Sequence, residues 1–407
     1  MKLMYIIISP RLSNAGAGTM DFRMGKWLVD NNNEVLYVCQ SIADNSIYES
    51  MKNAGFQIFC WPRSKIVDNL KKHVNNYECF FISHQLPDFM LIEKHKSDLN
   101  LFNNILYILH FRQMYYLGVT GGLYSRVINN HYKSIIKRID KKNSLLFSDN
   151  IQLKYIEELY DYKFLDIEEK ILSGTMHIND FNYEAIKEKS KLVDFNIITI
   201  ARADFPFKGY LFGLIDDFVK LKKQFNNISL TIISSGEKFS ILKNKVEKAM
   251  KENKCEIKLI NNVPYSKLKY YYSKAHLNVG LDTTVLDAAN HGVPSVVVKG
   301  YTYNNISGGY YHENPMNSTA NLDEKTFAFK YIKNMIKMDK EEYIEVCKKS
   351  HDILRNYYDI NKHMIKIMKL STIKNNDILS KKYIYMYYFY TSLERLKTKI
   401  KNSVKTV

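Results

Sequence analysis

The sequence lacks the spacings that bind zinc or frame disulfides. Its five cysteines (Cys39, Cys60, Cys79, Cys255 and Cys347) form no C-x-x-C pair and stand at no ligand spacing from a histidine. Scattered thiols of this kind are expected to be reduced and buried, as in a cytosolic chain. No apolar run is long enough to span a bilayer, and residues 3–9, directly behind Met1-Lys2, show no signal-peptide cleavage pattern. The expectation is a cytoplasmic chain, held at most on the inner face of a membrane. Internal repeats and low-complexity segments are missing too. So are a basic recognition helix and an aromatic-basic sheet motif, and no nucleic-acid partner is expected despite a formal net charge of +17. Part of that charge follows from the joint abundance of Lys, Asn, Ile and Tyr, the bias of an AT-rich genome.

What is present suits a globular protein with a sizeable core. The composition is 46% hydrophobic and 25% charged, and 407 residues exceed one typical core, so two domains are expected. Strand-like runs at 3–9, 34–39, 57–60, 77–83, 103–110 and 144–148 alternate with helical patterns, the first at 19–31. Such alternation predicts an α/β protein, with a parallel sheet covered on both faces. The first strand-to-helix turn, residues 11–18, holds Gly16 and Gly18, which admit a ligand close to the backbone. A tight turn alone would use the same glycines.

A second series follows the charged stretch 187–194, which has no strand pattern and reads as a linker. It comprises strands at 196–201, 229–234 and 256–260 and helices at 210–225 and 240–252. Next comes a compact unit at 275–298. Its strand 277–281 leads into Asp282-Thr283-Thr284 as N-cap, a helix 285–291 stopped by Gly292 and Pro294, and a strand 296–298. This unit aims free helix N–H groups beyond a strand's C-terminal end, a ready anion site. Residues 300–321 read as a long loop rich in Gly, Asn, Ser and Tyr, and helices are predicted at 324–338, 340–357 and 360–370. The expected domains are 1–190, 191–355 and a C-terminal helix and tail, 356–407.

Four stretches carry a resemblance. Ile197-Ile-Thr-Ile-Ala-Arg-Ala-Asp-Phe-Pro-Phe-Lys-Gly209 is similar to a strand ending in G-R followed by K-G at a helix start, with Ala201 in place of the Gly. Residues 171–181 loosely match I-x-N-G-V-D-x-x-x-F, residues 261–276 match G-x-V-x-x-x-x-L-x-x-x-Y-x-x-A-D, and residues 286–294 match L-E-A-x-A-x-G-x-P with Asp287 for Glu. Together they resemble glycosyltransferases of the GT-B fold, in particular the retaining family 4 type, over roughly residues 171–298.

The resemblance implies two doubly wound, Rossmann-like domains facing a central cleft, with C-terminal helices. It implies transfer of a sugar from a nucleotide-diphosphate donor to a cell-surface glycan of lipopolysaccharide, capsule or teichoic-acid type. No cofactor or metal is expected. In this reading Arg202 and Lys208 stabilise the diphosphate charge that grows as the sugar–phosphate bond breaks. Asp287 accepts from the ribose hydroxyls, His110 lies near the transferred sugar, and Gly16, Gly18, Gly209, Asp282, Thr283 and Thr284 contact the donor. Retention is implied, with front-face attack and no protein nucleophile. The family's second acid, eight residues before the ribose acid, is replaced here by Val279, with Asp282 as the nearby substitute.

Bland readings stand beside these. Arg202 and Lys208 also suit a solvated surface, Asp287 could close a capping box with Thr284, and His84 or His110, each ending an apolar run, could be structural. An inverting or polyol-phosphate GT-B transferase, or a catalytically silent homologue that binds a partner glycosyltransferase, also fits the sequence. The basic stretch 127–142 and the tail, with Tyr383, Tyr385, Tyr387, Tyr388, Phe389 and Tyr390, suggest an anionic membrane surface bearing a lipid-linked acceptor.

Overall fold

The computed structural model describes residues 2–13, 16–109, 123–173, 176–314, 318–320 and 324–404. Its contacts divide the chain into one unit of residues 1–175 with 360–407 and another of residues 176–359. In chain order the first unit opens β1 (Lys2–Ser9), α1 (Gly16–Asp30), β2 (Glu34–Cys39), α2 (Asn45–Asn53), β3 (Gln57–Cys60), α3 (Ile66–Val74) and β4 (Tyr77–Ser83). It continues with α4 (Leu86–Lys94), β5 (Leu101–Ile108), α5 (Leu123–Lys141), β6 (Leu145–Phe147), α6 (Asn150–Tyr160) and α7 (Ile167–Lys170). The second unit has α8 (Tyr183–Ser190), β7 (Phe195–Arg202), α9 (Tyr210–Lys222), β8 (Ile228–Ser235), α10 (Phe239–Asn253) and β9 (Ile257–Asn261). After these come α11 (Leu268–Lys274), β10 (Leu277–Gly280), α12 (Thr283–Asn290), β11 (Ser295–Val298), β12 (Ser307–Tyr310), α13 (Ala328–Lys337) and α14 (Lys340–Tyr357). The chain closes with α15 (Ile360–Leu370) and α16 (Lys381–Val404), both in the first unit.

The first sheet has order β3-β2-β1-β4-β5-β6, and all its strand pairs are parallel. Its central strand shows why. Met4, Ile6 and Ile8 pack into one apolar cluster and Tyr5 and Ile7 into another, so β1 is apolar on both faces and needs helices on both. The second sheet, β12-β11-β10-β7-β8-β9, is the same winding, parallel except for β12, which pairs antiparallel with β11. In each sheet the strand order reverses beside the first strand, between β1 and β4 and between β7 and β10. A crevice opens at such switch points, beyond the strand C-termini.

Several expectations need correction. The stretch 187–194 is not simply a linker, because α8 covers its first half. Asn182 caps that helix through a hydrogen bond from the Ala185 N–H, and Ile186 packs into the second unit's core. A helix with one narrow apolar face looks like charged linker in sequence. For the same reason the contacts place residues 176–190 with the second unit, whereas the sequence division put them with the first. The 300–321 segment contains β12, whose Ser-Gly-Gly-Tyr sequence has no strand pattern. The helix expected from residue 324 begins at Ala328, because the Glu324 carboxylate instead accepts from the N–H groups of Lys325 and Thr326.

The C-terminal segment is no separate domain. Ile360, Met364 and Ile367 of α15 join the core under the first sheet. In α16, Ile384 and Tyr387 are buried, and His131 of α5 lies against the rings of Tyr383 and Tyr390.

Candidate functional site

The site assembles at the switch point of the second sheet. β7 ends at Arg202 and β10 ends at Gly280, so the loops behind these adjacent strands enter the same crevice. Arg202 is exposed there, and no side-chain hydrogen bond or ion pair of it is found among the described residues. Residues 203–209 then turn back into α9. The Lys208 N–H donates to the Asp204 carbonyl at 2.7 Å. A Cβ on Gly209 would stand 2.6 Å from the Thr302 carbonyl oxygen, so the close approach of the 300–305 segment demands glycine. Gly209 therefore serves backbone packing at the helix start.

Lys208 is not a solvated surface residue. Its side chain is 13% exposed, and its ammonium lies 4.4 Å from the centre of the Phe207 ring and 3.0 Å from Asp282 Oδ2. Burial lowers its pKa. The Asp282 carboxylate opposes that shift, while the nearby Arg202 charge adds to it.

Asp282 departs most from its expected role. It occupies the N-cap position of α12, yet its side chain makes no capping hydrogen bond. Instead Oδ2 accepts from Lys208 and Oδ1 accepts from the Thr319 hydroxyl at 2.8 Å, while its backbone N–H donates to the Ser318 carbonyl. Its backbone sits at φ 63°, ψ −139°, a region that non-glycine residues rarely adopt and that costs on the order of 1–3 kcal/mol. Three tertiary contacts hold it there. Thr284 also bonds backward, its hydroxyl donating to the Leu281 carbonyl. A Cβ on Gly280 would lie 2.8 Å from that hydroxyl oxygen, so Gly280 makes room for the turn. Thr283 is half-buried at the first position of α12.

Asp287 closes no capping box. It lies five residues beyond the N-cap residue Asp282, is 7% exposed, and its Oδ1 accepts from the Tyr265 hydroxyl at 2.8 Å. Tyr272 lies fully buried beneath this end of the helix. Its hydroxyl donates to the Thr284 carbonyl, and burial, then the Asp287 charge, hold its pKa well up. Sequence reading assigned nothing to Tyr265, Thr319 or Thr302, which lie 22, 37 and 93 residues from their partners. No local spacing could have signalled them.

The first unit presents a different picture at its own switch point. His84, just past β4, is 2% exposed, with Nε2 2.7 Å from Asp21 Oδ1 and Nδ1 3.3 Å from the Tyr107 carbonyl oxygen. Burial pulls its pKa down, but the Asp21 charge and hydrogen bond outweigh this, so the net shift is upward. Tyr37 donates to Asp21 Oδ2, completing a buried network that fixes α1 on the sheet. His84 is thus held inside the first unit by this network. Gly16 opens α1, and a Cβ on Gly18 would fall 2.1 Å from the Ser13 carbonyl oxygen, so the turn itself requires glycine there. His110 lies outside the described residues. Among the described residues no group of three or more His, Cys, Asp or Glu side chains is placed to hold a metal ion, and no helix is long and apolar enough to cross a membrane.

No family model and no curated protein matches the chain. Solved structures do. A glycosyltransferase from Rickettsia africae ESF-5 superposes with a TM-score of 0.64 at 12% identity, over 93% of this chain and 99% of that one. Anabaena Alr3699/HepE in complex with UDP-glucose gives 0.60 at 12% identity, over 91% and 100%. An α-glucosyltransferase in complex with UDP and a 13-mer DNA containing an HMU base gives 0.52 at 13% identity, over 91% and 100%. Two Rossmann-like sheets with C-terminal helices, matched to these proteins over nine-tenths of the chain or more, give this chain the GT-B fold of glycosyltransferase structures.

Proposed function

We propose that the chain is a glycosyltransferase that moves a sugar from a nucleoside-diphosphate donor to a cell-envelope glycan acceptor. The observation that supports this most is a half-buried lysine, Lys208, beside an exposed arginine, Arg202, at the switch point of the second sheet. Two positive charges at one crevice, that of Lys208 held by Asp282 and that of Arg202 open to solvent, suit a diphosphate whose charge rises during bond cleavage. The start of α12 adds a dipole contribution of about 0.3–1 kcal/mol. Asp287, held by Tyr265, is the acceptor for the ribose diol.

In this reading the bond from the sugar's anomeric carbon to the phosphate oxygen breaks as the acceptor oxygen bonds to that carbon. Retention follows from attack on the face the phosphate leaves, and the acceptor proton passes to the departing phosphate oxygen. Asp282, with Thr283 and Thr284, contacts the donor sugar or its phosphate, and His110 belongs to the acceptor-side unit's share of the chemistry. The acceptor is lipid-linked, and the first unit meets it on an anionic membrane surface. Lys381, Lys382, Tyr385 and Phe389 recur along the exposed face of α16, and α5 is amphipathic, with Ile135, Ile136 and Ile139 buried.

The test is donor hydrolysis and transfer measured with a panel of UDP-, GDP- and dTDP-sugars, for the wild type and for Arg202→Ala and Lys208→Ala. Turnover of one donor, lost in both folded variants, supports the reading. Absence of any nucleotide-sugar binding would favour a silent partner-binding homologue.

A further inference from the structure

Two of the five cysteines are neighbours in space, although 20 residues part them in sequence. The pairing of β2 with β3 sets Tyr37 beside Ile58, Val38 beside Phe59 and Cys39 beside Cys60. Residues in register on neighbouring strands point to the same face of a sheet. The surroundings agree. Tyr37 and Cys39 belong to one apolar cluster and Ile58 packs against it, whereas Val38 belongs to the cluster on the other face, where Phe59 packs. Both thiols therefore stand on one face, at the last residue of each strand, and the Cys60 thiol is within hydrogen-bonding reach of Cys39.

Their exposures differ. Cys60 is exposed, and the other four cysteines are buried. Burial, then the charge and hydrogen bonding of Cys60, push the Cys39 thiol up to about 12. Cys39 is thus protonated and shielded, and Cys60 is the thiol that a reagent in solution meets.

The backbone allows the two sulfurs to join. Neighbouring strands run about 4.8 Å apart, inside the range of roughly 4.4–6.8 Å that disulfides span between Cα atoms. That spacing is wider than the Cβ separation of about 3.8 Å in a relaxed disulfide, so a bond here draws the strand ends together and is readily reduced. β3 is the edge strand of its sheet, free of a further strand that would resist the movement. The strand ends are also laced to their surroundings. The Trp61 N–H donates to the Cys39 carbonyl, while behind β2 the Leu12 N–H donates to the Ser41 carbonyl and the Ala43 N–H to the Leu12 carbonyl. A cross-link at Cys39 thus acts on residues tied to the loop behind β1.

We propose that Cys39 and Cys60 form a reversible thiol–disulfide site, oxidised by small-molecule disulfides of the glutathione class. The Cys60 thiolate attacks one sulfur of the oxidant, forming a mixed disulfide and releasing one small thiolate. The Cys39 thiol then loses its proton, attacks the Cys60 sulfur and expels the second small thiolate. Two protein thiols become one disulfide while the external disulfide becomes two thiols, so atoms and electrons balance. In the mixed disulfide Cys60 carries no charge, which removes one of the causes that hold Cys39 protonated. The site is independent of the glycosyltransferase reading.

The experiment treats the folded full chain with oxidised glutathione at mildly alkaline pH and reads the products by intact mass and peptide mapping. Wild type should lose two hydrogens, with Cys39 joined to Cys60, and regain both thiols in dithiothreitol. Cys39→Ser, which lacks the thiol that completes the exchange, should keep glutathione on Cys60. Cys60→Ser should leave Cys39 unmodified over the time in which wild type is fully oxidised, because the oxidant does not reach the buried thiol. Wild type that retains five free thiols, or that holds glutathione on Cys60 without forming the internal bond, overturns the proposal. So does a bond to Cys79, Cys255 or Cys347, which would report exchange in unfolded chain.

Discussion

The Lys208 ammonium and Asp282 Oδ2 lie 3.0 Å apart, joining the start of α9 to the start of α12 across 74 residues of sequence. The pair does two things. It holds Asp282 in a backbone conformation unfavourable for its residue type, and it opposes the lowering of the lysine's pKa by burial.

The first prediction concerns that charge. Asp282→Asn removes the group that raises the Lys208 pKa, so its pKa falls further and the lysine loses its proton at lower pH. The alkaline limb of the kcat/KM profile should move to lower pH in the variant. An unmoved alkaline limb would mean that Lys208 does not need its proton for donor turnover.

Arg202 provides a cleaner deletion because it is exposed. Arg202→Ala should lower kcat by about 10²–10³, the usual cost of losing one preorganised donor to a developing anion. Its unfolding free energy should stay within about 0.5 kcal/mol of wild type, as for surface changes generally. Loss of folding together with activity would point to a structural role.

Tyr265 is a positioning residue for Asp287. Tyr265→Phe deletes one hydrogen bond to the carboxylate but leaves the carboxylate in place. The expected result is a donor KM about 5–10-fold higher with kcat nearly unchanged. A kcat loss without a KM change would remove Asp287 from the ribose contact.

Glu93 makes stability depend on pH. It is 1% exposed, and burial raises its carboxyl to about 7, although Asn104 Nδ2 and the Leu379 N–H donate to it. An unfolded glutamate titrates near about 4.3. Between those values the folded chain holds a proton that the unfolded chain has released, so stability falls as pH rises, by roughly 4 kcal/mol in all. Glu93→Gln mimics the protonated form. Denaturant unfolding should find it close to wild type at pH 5 and more stable than wild type at pH 8. A difference that does not change with pH would contradict the assignment.

The exposed face of α16 predicts a vesicle phenotype. Tyr385 and Phe389 are 64% and 60% exposed, whereas Tyr387 on the opposite side is buried. Tyr385→Ser with Phe389→Ser should weaken co-sedimentation with anionic vesicles severalfold and leave the melting temperature unchanged. Sedimentation indifferent to anionic lipid in the wild type would remove the membrane from the proposed function.

Much of the fold was legible in the sequence because parallel strands buried on both faces read as short, continuous apolar runs. β2, β3 and β4, and the helices α14 and α15, begin and end where their patterns do. Elements whose residues carry no such period escaped notice. β12 is Ser-Gly-Gly-Tyr, and its strand character comes only from pairing with β11. α8 hides one apolar side chain, Ile186, among charges. The site divided in the same way. Arg202 and Lys208 were singled out through the resemblance of the strand end and helix start that carry them, and both lie where the loop behind β7 leads into α9.

What the sequence determined alone was the succession of strands and helices, and hence two doubly wound sheets, since apolar periodicity is written residue by residue. The tertiary structure decided what the site residues do. Asp282, which reads as a helix cap, is turned toward Lys208, and Asp287, which could have closed a capping box, is held by Tyr265. His84 is locked to Asp21 inside the first unit. Each of these outcomes depends on side chains tens of residues apart and on how deeply they are buried. Burial sets both the charge of a group and the strength of its partner's pull, and no local spacing records it.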